Sequence, residues 1–223
     1  MHQGVFMKKK VGLLSMVLLL ILLMTTACAR KEKELSLGVT ESGSYTNDYF
    51  GVSLHFPTDW TYQDADQMNE LVDEGAEHFN FGAKDNEDKE KIIKMLQAKT
   101  LNLLVVSKFP LDADETGPSL IAYAEKVSMF QSIKNGTDYL EALIRSMGKS
   151  EYQYEYDDIS AKNIGGKDMD LLKATVDYGN GFVTTQEFYS TIIGEYALCF
   201  IVSYIDDESK AETDQILDSV TFQ

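Results

Sequence analysis

Cysteine, histidine and proline are all scarce in this chain, and each scarcity closes off a class of protein. Two cysteines in 223 residues, Cys28 and Cys199, are too few for a disulfide framework, so the fold must rest on a packed core. Three prolines accord with a chain that shows no internal repeat and no low-complexity segment. Of three histidines, His55 and His78 follow the N-terminal region, and neither sits at metal-ligand spacing from a cysteine or from the other. No HExxH, CxxC or GxSxG string occurs, so the common zinc, thiol-redox and serine-hydrolase signatures are missing. "GKS" at Gly148 to Ser150 lacks the upstream P-loop glycine, because Leu143 stands in its place. Positive charge is also short. Lys and Arg number 20 against 36 Asp and Glu, a formal net charge of −16. That balance argues against nucleic acid, which is bound through cationic contacts to phosphate. It also argues against a body lying flat on an anionic bilayer.

The one long apolar run is Val11 to Met24, broken by Gly12 and Ser15. It is shorter than the roughly 20 residues that span a bilayer as a helix. Lys8, Lys9 and Lys10 precede it, and Thr25, Thr26 and Ala27 follow. Positive start, apolar core and small residues are the layout of a secretory signal. An uncleaved anchor reaching Ala29 is the other reading. The stretch "LLMTTACARKEK" resembles the lipobox of bacterial lipoproteins, in which a small residue precedes a cysteine that becomes the lipid-modified first residue. Ala27-Cys28 fits; Thr25 departs from the usual aliphatic. The resemblance implies diacylglyceryl modification of Cys28, and two acyl chains anchor stably where one does not. Residues 1–27 are then the signal, and residues 28–44 a lipidated cysteine and flexible tether. Loss of three lysines and no acid takes the net charge from −16 to about −19. Sixteen flexible residues have a root-mean-square span of roughly 20 to 24 Å, enough to clear headgroups.

A single domain is expected over 45–223. Phe50, Val52, Leu54 and Phe56 alternate with Gly51, Ser53 and His55, a strand with one apolar face. Helices are expected over Ala65 to Ala76, Glu87 to Ala98, Ser119 to Ser132 behind Pro118, Tyr139 to Met147 with Asp138 and Glu141 as a capping box, and Asp207 to Ser219. Leu101 to Phe109 reads as a strand. Four strand-like runs follow Gly148, separated by Gly165-Gly166, Asn180-Gly181 and Gly194-Glu195, and suggest an antiparallel meander. Tyr196 to Tyr204 is apolar or small on both faces, which places it in a sheet covered on both sides. The expected class is α+β, an antiparallel sheet covered by helices on both faces (an α/β/α sandwich).

The strings "FGVSLHFPTDW" and "DQILDSVTF" are similar to the opening and close of PsbP-like domains, found in photosystem extrinsic subunits and in small bacterial lipoproteins. The resemblance covers about Tyr45 to Phe222. It implies the PsbP-like fold and an accessory binding or assembly role without catalysis. A fold alone does not assign function.

Candidate sites are few. Asp112, Asp114, Thr116 and Gly117 match positions 1, 3, 5 and 6 of a calcium loop, but Tyr123 occupies the place of the bidentate glutamate. An acidic turn leading into Pro118 is the plainer reading. "DNEDKE" at Asp85 to Glu90 reads as a solvated helix start, and the sequon at Asn135 matters only in a eukaryotic secretory route. Tyr152, Tyr154 and Tyr156 alternate on one strand face, either a binding surface or a buried row. No catalytic, cofactor-binding or metal residues are assigned; the one site is Cys28, for lipid. The expected protein is a non-enzymatic lipoprotein on the extracytoplasmic face of the cell membrane. It holds the membrane through its lipid, binds an unidentified protein partner and takes no nucleic acid. The alternative is a small-ligand or cation-binding lipoprotein.

Overall fold

Phe50, Val52, Leu54 and Phe56 are buried and His55 is exposed, so the alternating string folds as its period requires, into β3 (Val52–His55). The computed structural model describes residues 33–70, 87, 91, 98–111, 113, 115, 117–127, 133–148, 152–178 and 181–223. β3 pairs antiparallel with β2 (Ser44–Asn47), which pairs with β1 (Val39–Glu41). On its other side β3 takes β12 (Thr221–Phe222). These four strands form one small sheet. Residues 36 and 37, within the span expected as tether, are hydrogen-bonded to β2. Tyr45 Oη donates to the Leu37 carbonyl (2.8 Å), and Asn47 Nδ2 to the Ser36 carbonyl (2.9 Å).

The large sheet contains β4 (Thr61–Asp64), β5 (Thr100–Ser107), β6 (Ser119–Lys126), β7 (Gln153–Tyr156), β8 (Ser160–Ile164), β9 (Lys167–Asp177), β10 (Val183–Ile193) and β11 (Tyr196–Tyr204). Its order is β4-β5-β6-β11-β10-β9-β7, with β8 also paired to β9, and every pairing is antiparallel. β11 is central, as its two apolar faces require. Gly165 and Gly166 turn β8 into β9 at φ +57° and +84°, a conformation that a two-residue hairpin needs and that side chains resist.

Two helices flank the large sheet: α1 (Gly136–Met147) and α2 (Asp207–Asp218). Residues 65–70 are also helical. α2 opens on Asp206, whose side chain accepts from Ser209 N while Ser209 Oγ engages the Asp206 backbone, a reciprocal cap. For α1 the cap is Asn135, whose Oδ1 accepts from Asp138 N at 2.8 Å. Asp138 instead accepts from Lys134 N. The expected Asp138 box is thus displaced by three residues.

The expected α/β/α sandwich is not what forms. Of the described residues 48% are strand and 21% helix, and the molecule is mainly antiparallel sheet. One face of the large sheet (Leu104, Val106, Leu120, Leu198, Phe200, Val202) packs on the small sheet through Tyr45, Phe50, Val52 and Leu54, with Ile216 and Leu217 of α2 beside them. A second sheet, not a helical layer, thus shares that face. α1 lies on the other, with Tyr139 and Leu140 over Leu172, Ala174, Phe188 and Cys199. The helix expected from Ser119 is β6 for a related reason. Leu120, Ala122 and Ala124 are fully buried at period two, and the strand is hydrogen-bonded on both sides, to β5 and β11. Pro118 starts a hairpin there, its carbonyl accepting from Lys108 N.

Candidate functional site

The three tyrosines that alternate before β9 meet different fates. β7 pairs with β9 in a register that sets Tyr154 opposite Val176 and Tyr156 opposite Ala174. Both therefore face α1, and both pack as half-buried residues against the cluster beneath it. Their rings stack at 5.8 Å with planes 2° apart. Of the two readings of this row, the buried one holds for these two. Tyr152 is different: it is 51% exposed and belongs to a cluster that the hairpin between β9 and β10 completes.

That hairpin ends in Tyr178, Phe182 and Val183, which are exposed by 39%, 37% and 44%. Tyr178 N donates to the Phe182 carbonyl at 3.1 Å, which brings the two aromatics to one side of the turn. Tyr178 stands 5.0 Å from Tyr152 in an edge-on arrangement and 5.8 Å from Phe182. Rings at these distances and tilts attract one another beyond their shared area. The cluster is thus built as a unit. Partial burial, then the neighbouring Tyr154 and Tyr152, pushes the Tyr178 phenol above its ordinary range. It stays neutral and can both donate and accept. Asp177, adjacent to Tyr178 and paired in register with Gln153, and Glu155, opposite Thr175, are exposed at this end of β7 and β9, giving the patch an acidic rim.

The position of the patch is defined by the long strands. Ser36 is tied to Asn47, Asn47 Oδ1 accepts from Phe50 N, and Tyr49 and Phe50 each lie 6.0 Å from Tyr196. Residues 36–50 therefore lie beside the turn between β10 and β11. The aromatic cluster is at the opposite end of β10. Ten residue steps at about 3.4 Å put the two ends roughly 34 Å apart.

A second constellation was not expected. Glu187 projects from β10 into the main core and is buried. Its carboxylate accepts from Tyr189 Oη and from Tyr204 Oη, the latter at 2.8 Å. Burial, then the bond to Glu187, raises both phenols, so both remain donors. The Lys210 ammonium sits 5.5 Å from the Tyr204 ring centre and pairs with Asp214 at 2.7 Å. The group is closed upon itself and offers no open valence to a substrate. The sequence carries one signal of it: in "EFYSTII" a lone acid occupies the core-facing parity of a strand.

The remaining expected sites fall mostly outside the described residues. Cys28, Lys8 to Lys10, His78, Asp112, Asp114 and Thr116 all do. His55 is exposed, and its backbone N–H donates to Ser219 Oγ, which in turn donates to the His55 carbonyl. Among the described residues no three His, Cys, Asp or Glu side chains converge to hold a metal ion. No helix among them is long and apolar enough to cross a membrane.

No protein-family model matches this chain, and no curated protein does. Solved structures similar to it include cyanobacterial PsbP (CyanoP) from Synechocystis sp. PCC 6803, 15% identical, with a TM-score of 0.48 over 86% of this chain and 98% of that one. LpqN, described as involved in cell envelope biogenesis of Mycobacterium tuberculosis, is 16% identical, with a TM-score of 0.44 over 77% of this chain and 83% of that one.

Proposed function

We propose that this protein is an extracytoplasmic lipoprotein, anchored through Cys28, that presents its aromatic tip to a protein partner and performs no catalysis. The observation that carries the reading is the placement of that tip. Residues 36–50 lie at one end of the large sheet, and Tyr152, Tyr178, Phe182 and Val183 stand exposed at the other. A body tethered from its N-terminus holds this end away from the bilayer. Tyrosine and phenylalanine supply large contact area at little rotamer cost, and aromatic clusters of this kind dominate binding energies. The acidic rim and the net charge of about −19 that remains once the signal is removed select a partner surface that is basic around an apolar centre.

Two measurements test the proposal. Palmitate labelling and mass spectrometry of the membrane fraction should find diacylglyceryl-Cys28 as the first residue, and Cys28→Ala should abolish labelling. A photo-crosslinking residue at position 178 should give a discrete adduct in intact cells, lost with Tyr152→Ser and Phe182→Ser. The same probe at position 49 should give none. An unmodified Cys28, or equal crosslinking from both ends, would overturn the reading.

A further inference from the structure

A cavity of about 320 Å³ opens on the α1 side of the large sheet, at the opposite flank of α1 from the stacked Tyr154 and Tyr156. It is separate from the aromatic tip. Glu125 of β6 enters it from the sheet, and Tyr139, Ala142, Leu143 and Arg145 enter from α1, with Ile133 alongside. Residues 139, 142 and 143 share a helix face because they are three and four apart. The helix thus supplies an apolar wall between two charges of opposite sign.

Each charge is held ready in a different way. Tyr139 is 4% exposed, and its hydroxyl donates to Glu125 Oε2 at 2.9 Å while lying 3.1 Å from Tyr123 Oη. That bond orients the carboxylate, and among the described residues no cation pairs with it. Arg145 has one acidic neighbour, Glu141, at 3.9 Å, and both side chains are more than half exposed. Such a pair contributes little and leaves the guanidinium free to grip another carboxylate with two parallel bonds. Tyr139 and Arg145 are six residues apart along α1, a rise of about 9 Å. That axial offset, between the helix position that holds Glu125 and the one that bears Arg145, exceeds the spacing of an amine and a carboxylate on one α-carbon. It suits the two ends of an extended chain at about 3.3 Å per residue.

We propose that this cavity binds a short apolar peptide, two or three residues long and free at both ends. Its ammonium rests on Glu125, its carboxylate on Arg145, and its side chains against Ile133, Ala142 and Leu143.

Calorimetric titration of the full chain in detergent with trialanine tests this, beside N-acetyl-trialanine, trialanine amide and free leucine. Trialanine should bind saturably. Blocking either end should weaken binding at least about tenfold, the consequence of stranding one charge without its partner. Free leucine should bind as weakly as the blocked peptides. Glu125→Gln should bind trialanine and its N-acetyl form alike, and Arg145→Gln should do so for trialanine and its amide. Both substitutions are at groups with solvent access, and an unchanged melting temperature will verify the fold. No saturation by about 10 mM, or blocked peptides or leucine binding as tightly as trialanine, would overturn the assignment.

Discussion

Alanine at position 165 should damage this protein far more than alanine at position 166, although both glycines sit in the same turn at positive φ. A methyl group at Gly165 would lie 2.4 Å from the Val220 carbonyl oxygen, 2.8 Å from its carbon and 2.9 Å from Thr221 Cα. At Gly166 it would meet nothing within 4 Å. The left-handed conformation alone costs a non-glycine residue roughly 1 to 2 kcal/mol, partly offset by about 0.4 to 1 kcal/mol from a stiffer unfolded chain. Gly166→Ala should therefore destabilise by about 1 kcal/mol. At Gly165 the neighbour is backbone that cannot rotate away. Relief means moving β12, which breaks the Phe222 N to Gly165 carbonyl bond (3.2 Å) and disturbs the pairing of Thr221 with Ser53 and of Phe222 with Val52. Overpacking of this kind adds typically 1 to 3 kcal/mol, so Gly165→Ala should cost about 2 to 4 kcal/mol. In a domain of this size that corresponds to a fall in melting temperature of roughly 4 to 16 °C. Urea denaturation gives both free energies, and hydrogen exchange at Phe222 should quicken in the first variant only. Equal losses at the two positions would show that the C-terminal strand does not press on this turn.

Two further outcomes follow from the buried polar groups. Glu187→Ala leaves the hydroxyls of Tyr189 and Tyr204 buried without an acceptor, at about 1 to 3 kcal/mol each. Tyr189→Phe and Tyr204→Phe should be far milder, and the triple variant should recover part of the loss; denaturant midpoints that add independently would refute the shared carboxylate. Alkali should also weaken the fold. Burial pushes the Cys199 thiol from 9.0 up to about 12, and the Tyr45 phenol from 10.0 up to about 12. The folded chain thus keeps protons that the unfolded chain releases. This stabilisation is complete below about pH 9 and is lost as pH rises toward 12. The urea midpoint should fall across that window, and Cys199→Ala should delay the onset toward pH 10, where the buried phenols of Tyr45, Tyr189 and Tyr204 take over; a midpoint constant to pH 11 would refute it.

The strands of the second half were legible because Tyr196 to Tyr204 is apolar or small on both faces and a glycine marks each turn, in Gly165-Gly166, Asn180-Gly181 and Gly194-Glu195. β6 was not. "SLIAYAEK" satisfies period two through Leu120, Ala122 and Ala124, but alanine and a preceding proline equally suit a helix, and only pairing with β5 and β11 decides. β8 was missed because "SAKNI" is polar and mostly exposed, held by backbone bonds to β9. Likewise the second sheet was hidden. β12 is two residues long, and its partner lies at the far end of the sequence, beyond any local pattern. At the site, the tyrosine alternation pointed to the right strand, but Tyr178 and Phe182 join Tyr152 only through the fold of a hairpin. A pair of aromatics flanking a glycine turn, with no core for them to face, is the trace they leave.

The pairing of β3 with β12 also bears on the order in which the molecule can be made. Ser219 clasps the backbone of His55 from both sides, and Gln223 N reaches the Gly51 carbonyl at 2.8 Å. A growing chain lays down β3 early and must wait more than 160 residues for its partner. Until then the apolar face of the small sheet, with Val52 and Leu54, lacks the strand that completes it. Loop closure over such a distance is slow relative to local contacts. The clasp of β12 and Ser219 on β3 is therefore among the last contacts that a growing chain can make.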